Sequence, residues 1–130
     1  LGHESDRAVL TQAVLEGVTF AIRDSLEALK SAGTKISRVT AIGGGSRSRY
    51  WLSSIATALG MPVDIPADGD FGAAFGAARL GLIAATGADP LSVCTAPETA
   101  ETVEPVRDLT SAYETAYGRY RALYPAIRGI

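Results

Sequence analysis

Apolar residues recur at helical spacing over the first quarter of the chain. The set is Leu10, Val14, Val18, Ala21, Ile22, Leu26 and Leu29. Since residues three and four apart share one helix face, this spacing predicts a helix over residues 6–32. Gly33 follows at the place where a helix C-cap is expected. Because the apolar side is broad, we expect this helix to lie against a sheet.

The same spacing predicts a second helix over residues 49–60. Its inner face would consist of Trp51, Leu52, Ile55, Ala56 and Leu59. Ser46 or Ser48 can cap its first turn, since a serine hydroxyl accepts a hydrogen bond from an unpaired helix N–H. Gly60 and Pro62 then end the helix.

Two more helices are predicted, over residues 71–86 and 107–124. In the first, Asp70 can serve as the cap, and Gly72 and Gly76 are four residues apart on one face. Glycine inside a helix costs about 1 kcal/mol relative to alanine, so two glycines on one face must serve a purpose. Close packing of the helix is favoured over access for a ligand. The last helix carries a stripe of Leu109, Tyr113, Ala116, Tyr117, Tyr120, Leu123 and Tyr124. With no basic groove beside it, the stripe is typical of a docking face rather than of base stacking.

Short strands are predicted between these helices, over residues 38–42 and 63–65. The second lies between Pro62 and Pro66, which favours an edge position because proline cannot donate to a sheet ladder. A further strand is possible near Thr102-Val103. Strands joined by helices require crossover connections, so the pattern predicts an α/β subdomain with short, mainly parallel strands over residues 1–130.

Composition narrows the classes of partner and compartment. With 130 residues, 47% hydrophobic and 20% charged, the chain suits one soluble domain, and its net charge of -2 argues against nucleic acid and anionic membranes as partners. Cys94 is the only cysteine and His3 the only histidine, so neither a disulfide within the chain nor a Cys/His zinc cluster is expected. No metal ligand is assigned, and a reducing, cytoplasmic location is favoured. A start at Leu1 rather than Met suggests that residues precede it.

The most informative motif for function is Gly43-Gly44-Gly45, followed by Ser46, Arg47 and Ser48. It lies between an apolar strand and a helix. Glycines allow positive φ and let a ligand touch the main chain, while the N–H groups and dipole of the next helix favour an anion. The motif therefore predicts a nucleotide site, although a bare strand-to-helix turn remains an equal alternative on the glycines alone.

Three segments together resemble the FGGY family of carbohydrate kinases. The first runs from Gln12 to Val18 as QAVLEGV, although the family usually has Arg where Gln12 stands. The second is IGGGSRSRYW, residues 42–51, which resembles the family's adenosine-binding segment. The third is GDFGAAFGAARL, residues 69–80, which resembles its second signature. The order and spacing of the three are far more specific than the glycines, and the resemblance covers essentially the whole chain, most weakly in its final third.

The resemblance implies the C-terminal part of the second lobe of an actin-like, ribonuclease-H-like ATPase. The implied reaction is transfer of the γ-phosphoryl of ATP to a sugar or polyol hydroxyl, with D-xylulose as the favoured acceptor and Mg²⁺ neutralising charge. The family's catalytic base and its phosphate-binding hairpin have no counterpart in these residues, and we assign no catalytic residue. The available carboxylates, Glu16, Asp64, Asp68 and Asp70, do not match that base. The 130 residues alone are therefore expected to be inactive, with the remainder of a kinase polypeptide as their partner.

By the same resemblance, the nucleotide-binding residues are Gly43, Gly44, Gly45, Ser46, Ser48 and Arg49. Arg49 stands where several relatives carry Asn against the adenine. It could stack on the base or point to solvent.

The residues are also compatible with two other classes of function. Gly43-x-Gly45-x-x-Ser48, with Asp64 about twenty residues on, comes close to a dinucleotide-binding fingerprint and would suit an NAD-dependent oxidoreductase. The other is a non-catalytic module that packs on a partner through its tyrosine helix.

Overall fold

The computed structural model of the chain describes residue 2, residues 5–67 and residues 72–129. Within these residues the elements follow the order α1 (Arg7–Ser31), β1 (Val39–Thr40), α2 (Arg49–Leu59), β2 (Val63–Pro66), α3 (Gly72–Thr86), α4 (Pro90–Val93), β3 (Thr99–Val103) and α5 (Thr110–Ile127), with 3-10 turns at Gly44–Arg47 and Arg107–Leu109. The four helices expected from the hydrophobic spacing are confirmed. Gly33 and Gly60 take positive φ just after α1 and α2, as helix-ending glycines do. The expected Asp70 cap lies outside the described residues.

The three strands form one mixed sheet in the order β1-β2-β3. β1 runs parallel to β2, with Val39 opposite Val63, and β3 runs antiparallel to β2, with Val103 on the other side of Val63. The α/β class and the strand near Thr102-Val103 are confirmed. The expected parallel pairing holds for β1 and β2 but not for β3, so the sheet is mixed rather than mainly parallel.

The prediction that residues 63–65 form an edge strand is wrong, because β2 is the central strand. Pro62 precedes the strand, and Pro66 ends it at a register irregularity, so neither proline removes a ladder hydrogen bond from the middle of the sheet.

Helix α2 packs on two sides, and this makes it the centre of the fold. One face buries Leu52 and Ala56 against Val63 of the sheet. The other face brings Ala58 against Phe20 of α1 and Tyr117 of α5. A helix with both faces buried fixes the position of its own N-terminus, which follows the glycine turn.

Helix α1 packs mainly on α2 and α5 rather than on the sheet, so the expectation that it lies against a sheet is wrong. The physical reason is that α2 already covers this face of the sheet and separates α1 from it. Much of the apolar side of α1 therefore stays uncovered: the exposed fraction is 50% for Val9 and 66% for Val14.

The tyrosine stripe of α5 is a docking face, as expected, and its partner is α1. The rings of Tyr113, Tyr117 and Tyr120 lie 5.6 to 6.1 Å from the ring of Phe20, measured between centroids. The Tyr117 hydroxyl donates to Asp24, and burial, together with this hydrogen bond, raises the pKa of Tyr117. Tyr113, Tyr117 and Tyr120 are therefore occupied within the fold, whereas Leu123 and Tyr124 at the end of the stripe are 58% and 66% exposed.

Candidate functional site

The glycine turn lies at the carboxyl end of β1 and leads into α2. Gly43 has φ of +81°, and the following residues make the 3-10 turn Gly44–Arg47. Only Gly43 in this motif takes a backbone conformation that L side chains rarely adopt, so the expected need for positive φ is confirmed there and not at Gly44 or Gly45.

The backbone of the turn leaves two amide groups available. The N–H and the hydroxyl of Ser46 both donate to the Gly43 carbonyl, at 3.0 and 2.7 Å, and the Ser48 N–H donates to the Gly45 carbonyl at 3.2 Å. No hydrogen bond joins the N–H groups of Gly44 and Gly45 to another residue within the described ranges. Exposed amides beside the start of a helix are the arrangement that binds phosphate or another anion.

Ser48 caps α2. Its hydroxyl accepts a hydrogen bond from the Trp51 N–H at 3.3 Å, and its carbonyl accepts one from Leu52 at 2.9 Å. Of the two serines proposed as caps, Ser48 is therefore the one that does so, while Ser46 closes the preceding turn.

Replacing Ser48 with alanine should lower the free energy of unfolding by about 1 kcal/mol, the usual cost of losing a serine N-cap. Urea unfolding followed by circular dichroism measures this. Ser48→Asp, which restores an acceptor at the cap, should recover most of the loss; no loss in the alanine variant would contradict the cap assignment.

Gly45 packs against an aromatic ring from α2. A Cβ built on Gly45 would lie 2.7 Å from Cζ3 of Trp51, far inside van der Waals contact. The indole N–H of Trp51 donates to the hydroxyl of Thr19 on α1 at 3.1 Å. The absence of a side chain at Gly45 is thus required by Trp51. Sequence reasoning placed Trp51 on the inner face of a helix and missed its contact with the turn.

Arg49 forms an ion pair within the fold, which neither of the two expectations included, and its stacking on the adenine stays a prediction. Its guanidinium pairs through both terminal nitrogens with the carboxylate of Glu101 on β3. Both side chains are about half exposed, at 56% and 49%. The pair links the start of α2 to the edge of the sheet.

A cleft of about 390 Å³ opens beside the turn, between Ile42, the end of β2, α3 and residues 95–98. Gly72 borders it, and a Cβ there would lie 2.6 Å from Cδ1 of Ile42, so the expected packing reason is confirmed for Gly72. Nothing lies within 4 Å of a Cβ built on Gly76. The guanidinium of Arg79 lies 4.1 Å from the ring centroid of Phe75, and it donates to the Thr95 carbonyl.

A second cavity, of about 380 Å³, lies among α1, α2 and α5. Its polar lining includes Gln12, Glu16, Tyr50 and Tyr113, and the Gln12 amide donates to Glu16 at 2.7 Å. We refer to it below as the helix cavity.

The Asp64 carboxylate, the candidate ribose-binding acid, is held within the sheet by three hydrogen bonds. Arg38 donates to one oxygen through Nε and Nη2, at 3.0 and 2.7 Å, and the Thr102 hydroxyl donates to the other at 2.7 Å. The hydrogen bond from Thr102 and then those from Arg38 lower the pKa of Asp64. These bonds give Asp64 a structural role in joining β1, β2 and β3, which the dinucleotide-binding interpretation did not include.

The lowered pKa of Asp64 makes stability depend on pH in acid. The pKa of this carboxyl is lower in the folded state than in the unfolded state, so the unfolded state binds more protons in acid. The ionised carboxyl therefore stabilises the fold near neutral pH, and this stabilisation is lost as pH falls below about 4 and through the folded pKa. The variant Asp64→Asn should show a shallower loss of stability between about pH 5 and pH 2. Urea unfolding at several pH values tests this, and parallel curves for both proteins would contradict it.

Within residues 5–67 and 72–129, no three His, Cys, Asp or Glu side chains come together as a metal site would require. Asp68 and Asp70, two of the carboxylates weighed above, lie outside the described residues. No helix in the described part of the chain is long and apolar enough to cross a membrane.

Comparison with known proteins identifies the family. Residues 1–85 match the C-terminal domain of the FGGY family of carbohydrate kinases. The chain is 45% identical over 85 residues to xylulose kinase of Escherichia coli, an alignment that covers 65% of this chain and 18% of that protein. The chain therefore belongs to the FGGY family of carbohydrate kinases.

Solved structures agree with this assignment. A crystal structure of a xyloylose kinase from Brucella ovis is 68% identical, with a TM-score of 0.87 over 99% of this chain and 27% of that one. Xylulose kinase from Rhodospirillum rubrum is 29% identical, with a TM-score of 0.81 over 99% of this chain and 26% of that one. The chain thus spans about a quarter of these two kinases, and its fold matches the part of them that it covers. The dinucleotide-binding oxidoreductase finds no support in the family, relative and structures named here.

Proposed function

We propose that this chain is the nucleotide-holding segment of an ATP-dependent sugar kinase whose acceptor is D-xylulose and whose product is xylulose 5-phosphate. The observation that carries the proposal is the glycine turn at the start of α2, where the N–H groups of Gly44 and Gly45 have no hydrogen-bond partner among the described residues. The acceptor is proposed from the kinases of Escherichia coli and Brucella ovis named above, which are 45% and 68% identical.

In this proposal the turn binds ATP through its main chain. Gly43 sets the bend, and the N–H groups of Gly44 and Gly45 donate to the nucleotide. Ser46 and Ser48 hold the turn and the first helical amides in place. Arg49, paired with Glu101, borders the site. Such preorganised donors lower the cost of holding a charged ligand because they need no rearrangement when it binds.

The described residues provide part of what phosphoryl transfer needs. A Mg²⁺ ion, when bound, would neutralise charge on the phosphates. The described part of the chain offers no cluster of carboxylates for that ion, so we assign none of its residues to the metal. The residues that hold the acceptor hydroxyl of the sugar, and the base that takes its proton, would come from the remainder of the polypeptide.

The remainder of a kinase polypeptide is also the partner we propose for α3. This helix is rich in apolar residues, yet none of its described residues is buried, and the exposed fractions of Leu80 and Leu82 are 66% and 50%. Exposed apolar surface of this kind marks an interaction site. A cytoplasmic location completes the proposal, since ATP and a lone Cys94 fit a reducing compartment.

Saturation-transfer NMR with ATP and with NAD on the purified chain tests the nucleotide assignment. Transfer to ATP protons and none to NAD is the expected result. Transfer to NAD alone, or to neither, would contradict it. The acceptor is tested separately, by assaying the complete gene product with xylulose and a panel of other polyols; turnover of a different polyol in preference to xylulose would refute that part.

A further inference from the structure

Trp51 connects the glycine turn to the opposite helix of the fold. One edge of its indole ring lies over Gly45, at the 2.7 Å spacing given above for a built Cβ. The ring nitrogen at the other edge donates to Thr19, which lies 32 residues earlier on α1. The Trp51 backbone is held by the Ser48 cap. Ring and backbone are therefore both restrained, and the restrained ring faces the turn.

The Thr19 hydroxyl is placed to accept the hydrogen bond from the indole N–H of Trp51. Thr19 is fully buried, and its hydroxyl donates to the Leu15 carbonyl at 2.8 Å while accepting from Trp51 at 3.1 Å. The bond to Leu15 directs the hydroxyl hydrogen away from the indole, so a lone pair faces the indole N–H. If the hydroxyl were removed, the indole N–H would lose its acceptor in a site with little access to water.

We propose that Trp51 is a positioning residue for the nucleotide site and that Thr19 fixes the orientation of Trp51. The ring supports the Gly45 end of the turn, so that the N–H groups of Gly44 and Gly45 keep the direction required by the ligand. That the ligand is ATP rests on the proposed function. The mechanical link from Thr19 through Trp51 to the turn does not, because it can be measured without nucleotide.

The first test is amide hydrogen exchange without nucleotide. Thr19→Val keeps the shape of the side chain and removes the acceptor. It should speed exchange of the Ser46 and Ser48 amides, which close the turn, at least tenfold relative to amides in α5. Thr19→Ser keeps the hydroxyl and should stay near the wild-type rate.

Thr57→Val is the matched control. Thr57 is also a buried helical threonine, and its hydroxyl donates to Ser53 and accepts from the Val106 N–H, far along α2 from the turn. This variant loses hydrogen bonds of the same kind without touching Trp51. If Thr57→Val speeds exchange in the turn as much as Thr19→Val, or if Thr19→Val leaves it unchanged, the proposed link is refuted.

Trp51→Phe provides a second variant in case Thr19→Val folds poorly. It keeps an aromatic ring near Gly45 and removes the N–H donor, so it should also speed exchange in the turn. If Thr19 acts through Trp51, the double variant should exchange no faster than the faster single variant. Additive effects of the two substitutions would show that Thr19 acts by another route.

ATP affinity, measured by calorimetry, tests the positioning role. Thr19→Val should bind ATP about tenfold more weakly than wild type, which corresponds to about 1.4 kcal/mol of binding free energy. Thr19→Ser should bind ATP within about twofold of wild type. Trp51 is the only tryptophan of the chain, so its emission should change on ATP binding in the wild type. Loosening of the turn without loss of affinity would overturn the positioning role. A wild-type chain that does not bind ATP would refute the proposed function and the nucleotide role together, while the exchange rates would still decide the mechanical link.

Discussion

Replacing Gly45 with valine should lower the affinity for ATP by about one to two orders of magnitude. The Cβ of the new residue would overlap the Trp51 ring, and its two methyl groups would add to the overlap. Forcing extra carbon atoms into a packed contact costs about 1–3 kcal/mol. If this cost falls on the conformation of the turn that binds ATP, each 1.4 kcal/mol lowers the affinity tenfold. The turn must shift, and the two amides shift with it.

Calorimetry with ATP measures this effect, and Gly17→Ala is its control. Gly17 lies inside α1 with open space around a built Cβ, so alanine there should leave ATP affinity unchanged. In a complete kinase, Gly45→Val should weaken ATP binding far more than sugar binding. Unchanged ATP affinity in the valine variant would refute the assignment of the turn.

The largest expected effect is the absence of sugar phosphorylation by the 130 residues alone. Phosphoryl transfer needs a held nucleotide, a held acceptor hydroxyl, and a base or orienting group within hydrogen-bond reach of that hydroxyl. In our proposal, the turn provides the first of these. Loss of proximity alone can forfeit roughly 7–11 kcal/mol of barrier reduction, which is many orders of magnitude in rate.

An ATP-dependent assay of the purified chain with xylulose and other polyols checks this. The complete gene product assayed in parallel shows that the conditions support turnover. If the chain alone worked at even a few per cent of an ordinary kinase rate, a complete active site would lie within it, and our assignment of a nucleotide-holding segment would be too narrow.

The helices could be predicted because their signals are local. Spacing of apolar residues, a serine cap at Ser48 and glycines at Gly33 and Gly60 each act within a few residues, and the structure has helix boundaries there. The partner of each element could not be predicted in this way. The sequence around α1 shows a broad apolar side but not that α2 would lie between it and the sheet, and the prolines around β2 did not reveal its central position.

The same distinction between local signals and distant contacts applies to the candidate site. The turn at residues 43–49 is contiguous, so its shape follows from nearby residues, and the family resemblance predicted it directly as the nucleotide site. The side chains that support it come from far away in sequence: Thr19 reaches Trp51 across 32 residues, and Glu101 reaches Arg49 across 52. Such contacts depend on how α1 and β3 pack around α2. A tryptophan six residues after Gly45 was the one available signal, and it was interpreted only as part of a helix face.

Amide chemical-shift mapping of the isotope-labelled chain during titration with ATP is the most direct test of the central claim, which is that the glycine turn holds the nucleotide. We expect the largest shifts at residues 43–49, with the amides of Gly44 and Gly45 among them, and no comparable shifts with NAD. ATP-dependent shifts confined to the helix cavity, or no shifts at residues 43–49 at ATP concentrations that saturate the complete kinase, would contradict it.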